Sequence, residues 1–300
     1  MSEVGQAFAW QDPYFFVTYV NESVSNFQIE FVNYTREIME HLVVGSFLYI
    51  FICIFSYFAV IRWKLLSFNK KIKNPKRVLI VTAHPDDECM FFGPTILNLT
   101  KQTDTTVYLM CLSTGKNYGM DVTRRKELYK ACKVLGIKDS SIMVLNHDDL
   151  PDDIKTRWPE ETVAALILHQ IEIYDITALI TFDRSGISSH PNHFSIYYAV
   201  AHLSVNKEIP KGCTVYVLES INVFRKYWFI LDIPLSFLLS RTRYIVGPKD
   251  RVVIRDAMAQ HKSQMVWFRK IYLVFSRYIV INTLQEMNTS DIELDLSIED

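Results

Sequence analysis

The stretch VLIVTAHPDDE, residues 78–88, decides the fold. An apolar, β-rich run ends at His84, and Asp86, Asp87 and Glu88 follow at once. A short uncharged run of that composition, closed by a polar turn, predicts a buried strand. A helix-like segment then continues to about Lys101. The same alternation recurs downstream. TVYLMCLS (106–113) precedes a helical pattern over 122–135, IMVLN (142–146) one over 158–174, and ALITFD (178–183) one over 193–204. CTVYVLESI (213–221) reads as a fifth strand. Strands alternating with helices predict an α/β fold, a Rossmann-like parallel sheet with helices on both faces.

In such sheets ligands bind beyond the carboxyl ends of the strands. The charges at 84–88 lie at one such end. A second polar cluster, DRSGISSHPNHF (183–194), follows the fourth strand and carries His190 and His193. Both loops should open on one sheet edge. A catalytic zinc site takes three protein ligands and leaves a position for water, so two histidines and one carboxylate suffice. A second carboxylate can accept the proton of that water, whose pKa the metal lowers. A further histidine can stabilise the oxyanion of a tetrahedral intermediate. The plain reading of HPDDE is a solvated turn, and the second histidine pair argues against it. A non-haem iron oxygenase also uses two histidines and a carboxylate. The sheet topology and the neighbouring Asp86 favour hydrolysis.

The N-terminal part differs. Leu42 to Ile61 (LVVGSFLYIFICIFSYFAVI) holds no charge over twenty residues, enough at ~1.5 Å per residue to cross a ~30 Å hydrocarbon core. Only Arg36 is basic before it, whereas Arg62, Lys64, Lys70, Lys71, Lys73, Lys76 and Arg77 follow without an acid among them. That asymmetry places the following domain in the cytoplasm. Asn21-Glu22-Ser23 and Asn33-Tyr34-Thr35 are glycosylation sequons in what would be a lumenal tail. The expected organisation is a lumenal tail (1–41), a transmembrane helix (42–61), a basic linker (62–76), a catalytic domain (77–285) and an acidic disordered tail (286–300). A net charge of −1 provides no general attraction to nucleic acid. Five cysteines, odd in number and with no C-x-x-C pair, point to reduced thiols.

AHPDDE after the first strand, with HPNH about a hundred residues on, resembles the LmbE-like deacetylases. TRRKEL, KVLGI, LPDD, ITFD, INVFRKY and WFRKIYLVFSRY extend the resemblance over roughly Arg77 to Leu284. Within that family the chain looks most similar to the N-acetylglucosaminylphosphatidylinositol de-N-acetylases of glycosylphosphatidylinositol (GPI) anchor synthesis, enzymes of the cytoplasmic face of the endoplasmic reticulum. The resemblance implies a divalent metal, Zn2+ by expectation, on His84, Asp87 and His193. It implies Asp86 as the general base and His190 as the oxyanion-stabilising residue that protonates the leaving amine. Glu88 would orient a ligand from behind. Arg124 falls where relatives carry a substrate-contacting arginine, with an exposed helix residue as the alternative. The implied partners are a glycolipid substrate and the bilayer holding its acyl chains. Bacterial relatives often carry Asp where Asn192 stands here, which bears on the pKa of His190.

Other readings stay open. Asp149, in the acid-rich HDDLPDD (147–153), is a candidate for sugar hydroxyls, against the plainer reading of a solvated turn. Cys89 is expected to pack, and His147, His169, His202 and His261 to be surface or structural histidines. In QMVWFRKIYLVFSRYIVI (264–281), one continuous helix would gather Arg269, Lys270 and Arg277 with Lys262 on a basic stripe. It would lie on an anionic membrane or pack on the sheet, and packing is the expectation. WFILDIPLSFLLS (228–240) poses the same choice, and Pro234 argues against one straight spanning helix. The rivals in function are a deacetylase of another N-acetylglucosamine conjugate and an inactive membrane-anchored interaction subunit.

Overall fold

The computed structural model describes residues 13–63, 72–73, 75–115, 119–288 and 292. The chain divides into two compact units, Met1–Ile52 and Cys53–Asp300. Helix α1, Pro13–Trp63, is 51 residues long. It gives its first part to the N-terminal unit and its last turns to the second. Its segment Val17–Ala59 is long and apolar enough to cross a membrane, and the predicted span 42–61 lies in this helix. The basic run at 64–71 and the acidic residues 293–300 lie outside the described residues.

The second unit is built on a seven-stranded sheet in the order β3-β2-β1-β4-β5-β7-β6. The first five strands are Arg77–Thr82, Thr106–Cys111, Ile142–Val144, Ala178–Phe182 and Thr214–Leu218. They are mutually parallel, with Ile80 paired to Leu109 on one side and to Ile180 on the other. Val78–Thr82 and Ala178–Phe182 are buried throughout. A strand covered on both faces has no water to hold a charge, which is why these runs are apolar without alternation. Helices α2 (Asp87–Met90), α3 (Gly93–Thr100), α4 (Asp121–Val134), α5 (Glu160–Ile173) and α6 (Pro191–Val205) follow their strands in turn.

Two strands had no clear sequence signal, and one of them makes the sheet mixed. After α7 (Val223–Lys226) and α8 (Ile233–Leu239) come β6 (Thr242–Ile245), α9 (Pro248–Met258), α10 (Trp267–Phe275) and β7 (Ile281–Glu286). β7 runs antiparallel between β5 and β6. The expected continuous helix over 264–281 is therefore corrected. α10 stops at Phe275, Ser276 caps a short 3-10 turn by accepting from Tyr278 N, and the chain then enters the sheet. The basic stripe dissolves with it. Arg277 is fully buried, with Nη1 2.5 Å from Asp232 Oδ2, and Arg269 turns toward Asp86. Glu286, expected to begin a disordered tail, still pairs with Tyr216.

The chain adds strands in one direction from β1 to β3, then returns to place β4 on the other side of β1. The carboxyl ends of β1 and β4 thus flank the point where strand order reverses. That is where an open α/β sheet leaves a crevice.

Candidate active site

His84 to Glu88 leave β1 in one tight turn. Asp86 has φ 106°, a left-handed conformation that costs a non-glycine residue about 1–3 kcal/mol. The surroundings hold it there. Glu88 Oε2 accepts from the Asp86 backbone N at 3.0 Å. Asp87 Oδ2 accepts from Ala83 N at 3.0 Å and from His84 N at 2.9 Å. Both backbone bonds fall on one Asp87 oxygen. The other, Oδ1, faces His193 Nε2 at 3.5 Å.

The loop after β4 is also strained. Gly186, Ile187 and Ser189 all have positive φ, and a Cβ on Gly186 would lie 2.8 Å from His193 Cβ. Asp183 shapes this turn by accepting from Ser185 N and Gly186 N through Oδ1 and from Ser220 N through Oδ2. Gly186 O lies 2.9 Å from His193 Nδ1. The carbonyl can only accept, so Nδ1 carries the proton and Nε2 presents a lone pair. The His193 ring stacks on Phe182 at 3.9 Å, which fixes its plane.

The same reasoning orients the other two histidines. His84 Nε2 lies 3.0 Å from Asn192 Oδ1 and 3.2 Å from Asp152 Oδ1, two acceptors, so Nε2 donates and Nδ1 carries the lone pair. His190 Nδ1 accepts from Asn192 N at 3.3 Å, which leaves a proton on Nε2 of the neutral ring. The three imidazoles each offer one nitrogen within 4.8 Å of the others. Asp87 Oδ1, His193 Nε2 and His84 Nδ1 are thus electron-pair donors, whereas His190 is arranged as a hydrogen-bond donor. In the neutral tautomers, His84 and His193 each give their other ring N–H to an acceptor, the arrangement common where a histidine holds a metal.

The electrostatics match this assignment for His84 and His190, whereas Asp87 draws His193 toward its protonated form. Burial lowers the His84 imidazolium to about 4, and burial also lowers His190, so both favour the neutral form. For Asp87, burial alone would raise the carboxyl, but the His193 charge and hydrogen bond, with His84, outweigh it and hold it below the usual range. His193 is raised in turn, because the Asp87 charge overcomes burial. Asp86 behaves oppositely. Burial, aided by the Asp87 charge, lifts its carboxyl to about 7, although Arg269, 2.6 Å away, opposes this. Adjacent aspartates are driven apart, one toward permanent charge and one toward proton exchange near neutrality.

Behind them lies a chain of buried contacts. Glu88 Oε1 meets His261 Nε2 at 2.6 Å, and His261 Nδ1 meets Gln264 Nε2 at 3.2 Å. Gln264 Oε1 accepts from Arg124, whose Nη1 reaches Asp152 Oδ2 at 2.6 Å. Arg124 is 8% exposed, so its guanidinium braces the site through Asp152 and Gln264. Asp149 lies in an exposed turn beside His147, and Asp152, three residues on, is the acid that reaches His84. Cys89 donates to Glu88 Oε1 at 3.0 Å. Asn192 is fully buried and its side chain joins His84 Nε2 to the Thr156 carbonyl, touching His190 through its backbone N. Sequence reasoning did not single out Asp152, Asp183 or Gly186, and it set Arg269 on a basic stripe and not beside Asp86. All three of the former had a signal, since Asp152 lies in the quoted HDDLPDD and Asp183 and Gly186 in DRSGISSHPNHF.

Residues 79–204 match the GlcNAc-PI de-N-acetylase (PIG-L) family model. An N-acetylglucosaminyl-phosphatidylinositol de-N-acetylase of Bos taurus is 43% identical over 209 residues, covering 69% of this chain and 82% of the relative. The chain belongs to the GlcNAc-PI de-N-acetylase family. A probable member from Schizosaccharomyces pombe is 41% identical over 219 residues, covering 69% of this chain and 86% of its own length. The family fold extends to distant proteins. An N,N'-diacetylchitobiose deacetylase of Pyrococcus horikoshii superimposes with a TM-score of 0.55 at 18% identity, over 78% of this chain and 91% of its own. The motif residues His84, Asp86, Asp87, His190 and His193 all fall inside the segment matched to the GlcNAc-PI de-N-acetylase model.

Proposed function

We propose that the chain hydrolyses the N-acetyl group of N-acetylglucosaminyl-phosphatidylinositol to give glucosaminyl-phosphatidylinositol and acetate, the second step of GPI-anchor biosynthesis. The observation that carries the mechanism is the meeting of the His84, His190 and His193 imidazoles, with Asp87 Oδ1 3.5 Å from His193 Nε2, beside the perturbed carboxyl of Asp86. Two imidazoles and a carboxylate suit a divalent cation, Zn2+ by preference, which would displace the proton that Asp87 favours on His193. That cation supplies Lewis acidity, polarising the amide carbonyl and acidifying a water.

The chain's own residues do the rest. Asp86 accepts the proton of the attacking water, and a pKa near neutrality suits a base that must later release it. His190 Nε2–H donates to the amide oxygen as negative charge develops there. The proton that Asp86 took from the water passes to the glucosamine nitrogen as the C–N bond breaks, giving the free amine and acetate. Arg269 keeps Asp86 aimed, and Arg124 with Asp152 keeps His84 in register. Trp158 and Phe91 pack edge-on against His84 and His193, which fixes both rings.

The substrate's acyl chains stay in a bilayer while its headgroup enters the crevice. The apolar α1 supports membrane anchoring, and the basic residues after Ile61 support a catalytic domain on the cytoplasmic face of the endoplasmic reticulum. The test is acetate release from synthetic N-acetylglucosaminyl-phosphatidylinositol by the purified full-length chain. Release should stop on chelation and return with zinc. No release by the zinc-supplemented protein, or release undiminished by chelation, would contradict the proposal.

A further inference from the structure

The site is bordered by an apolar surface that the catalytic steps do not use. On α10, Trp267 is 72% exposed and Phe268 and Phe275 are each 53% exposed, whereas Tyr272 and Leu273 face inward. On α7 Phe224 is 77% exposed, and on α8 Leu238 is 83% exposed. Single exposed apolar residues are ordinary, but large apolar side chains exposed on three neighbouring segments, aromatic on two of them, are not.

The three segments form one face because a buried ionic knot ties them. Asp232, at the start of α8, takes Arg225 of α7 at 2.6 Å and Arg277, two residues beyond α10, at 2.5 Å. Tyr227 after α7 packs edge-on against Tyr272 of α10. Ser236 and Thr283 take further Arg277 bonds. The knot holds the apolar side chains outward as a rigid unit.

We propose that this face docks on a lipid bilayer, and that it seats the mouth of the active site against the leaflet that holds the substrate. Three observations favour lipid over a protein partner. First, Cys53 Sγ lies 3.5 Å from the carbonyl of Leu231, one residue before Asp232. Cys53 belongs to the uncharged run 42–61, so the segment leading into α8 touches the part of the helix suited to hydrocarbon. Second, α7, α8 and α10 carry no acidic residue, and Lys226 and Lys270 stand outside the ion pairs with Asp232 and Asp86 that take up Arg225 and Arg269. Exposed aromatics with cations and no acids match an anionic membrane surface. Third, the face adjoins the chemistry. Tyr272 Oη donates to Met90 O at 3.0 Å, its ring meets Phe91, and Phe91 meets the His193 ring. Lys226 Nζ reaches Ile187 O at 3.4 Å, in the strained loop before His190.

This proposal rests on the glycolipid reading above, and its test needs no substrate. The full-length chain is reconstituted into phosphatidylcholine–phosphatidylinositol vesicles whose acyl chains carry bromine, a short-range quencher of tryptophan fluorescence. Wild type is compared with Trp267→Phe, with a double variant that adds Trp228→Phe, at a residue 43% exposed two positions after α7, and with Trp158→Phe, whose side chain is buried in the core. The expected result is that Trp267→Phe and the double variant lose a clear part of the bromine-quenched signal, while Trp158→Phe keeps it all. Equal quenching in wild type and in the double variant would overturn docking, and would leave a second copy of the chain or a protein as the occupant. A failure of acetate release would count against the deacetylase reading alone, because quenching is read without any turnover.

Discussion

Gly186→Ala isolates the mechanical support of one metal-ligating candidate. Gly186 has φ +58, and an added Cβ would lie 2.8 Å from His193 Cβ and 3.0 Å from Phe194 Cδ1. The left-handed backbone costs an L-residue roughly 1–2 kcal/mol. Crowding a packed site adds about 1–3 kcal/mol. Neither contact is the end of a flexible side chain, so relief must come from moving the backbone of the loop or the start of α6. Either motion disturbs the Gly186 carbonyl that holds His193 Nδ1. Loss of such an outer partner typically weakens metal affinity by about 10–100-fold. Gly119→Ala is the matched control, since Gly119 also has a positive φ, +65, with nothing within 4 Å of the added Cβ. The assay is thermal unfolding of the full-length chain together with zinc titration. Gly186→Ala should lose both stability and zinc affinity, whereas Gly119→Ala should at most lose stability. Unchanged zinc affinity in Gly186→Ala would refute the argument that this glycine positions His193.

Arg269→Met removes the cation that favours the charged form of Asp86, so the Asp86 pKa should rise further. The base is then ionised only at higher pH, and the acid limb of the pH profile of kcat/KM should move upward; a fixed limb would show that Asp86 does not set it. His261→Ala leaves the fully buried Glu88 without its 2.6 Å partner, and breaking a buried pair in this way costs about 3–5 kcal/mol; a thermal midpoint equal to wild type would contradict it. The same pair gives a pH dependence. Although burial alone would lower His261, the Glu88 charge and hydrogen bond raise it, so its stabilisation is full below the ordinary histidine range and is lost as pH climbs through the raised value. Wild type should lose stability over that interval, and His261→Ala should lose less; identical slopes would contradict the assignment.

What could be read in the sequence was what lies close together along the chain. The turn at His84–Glu88 follows an apolar run without a break, and His190 and His193 are i, i+3 at the start of one helix, so both loops announce themselves. Their meeting follows from topology, because β1 and β4 are neighbours at the strand-order reversal. Asp152 and Arg269 were hidden for the opposite reason. Each arrives from a distant loop or helix, and nothing local distinguishes Asp152 from Asp149 in HDDLPDD. The missing strand β7 reflects a different limit. Periodicity does not separate a short buried strand from the end of an apolar helix. Ser276 capping the turn, and Asn282 spending its side chain on Thr95 and Phe91, decide for the sheet only once those partners are in place. Arg277 looked like part of a solvent-facing stripe, and the Asp232 carboxylate that buries it lies 45 residues away.

In the proposed mechanism two adjacent aspartates do different work, Asp87 holding a metal and Asp86 moving a proton. Metal content by elemental analysis, measured beside acetate release on Asp86→Asn and Asp87→Asn, tests it most directly. Asp86→Asn should keep its metal near stoichiometry while turnover falls by about 10²–10⁴-fold, the usual scale for a lost general base. Asp87→Asn should lose metal and activity together, because a neutral amide is a poor ligand. Retention of metal by Asp87→Asn with its loss from Asp86→Asn would exchange the two roles, and full activity in Asp86→Asn would contradict the water-activating mechanism itself.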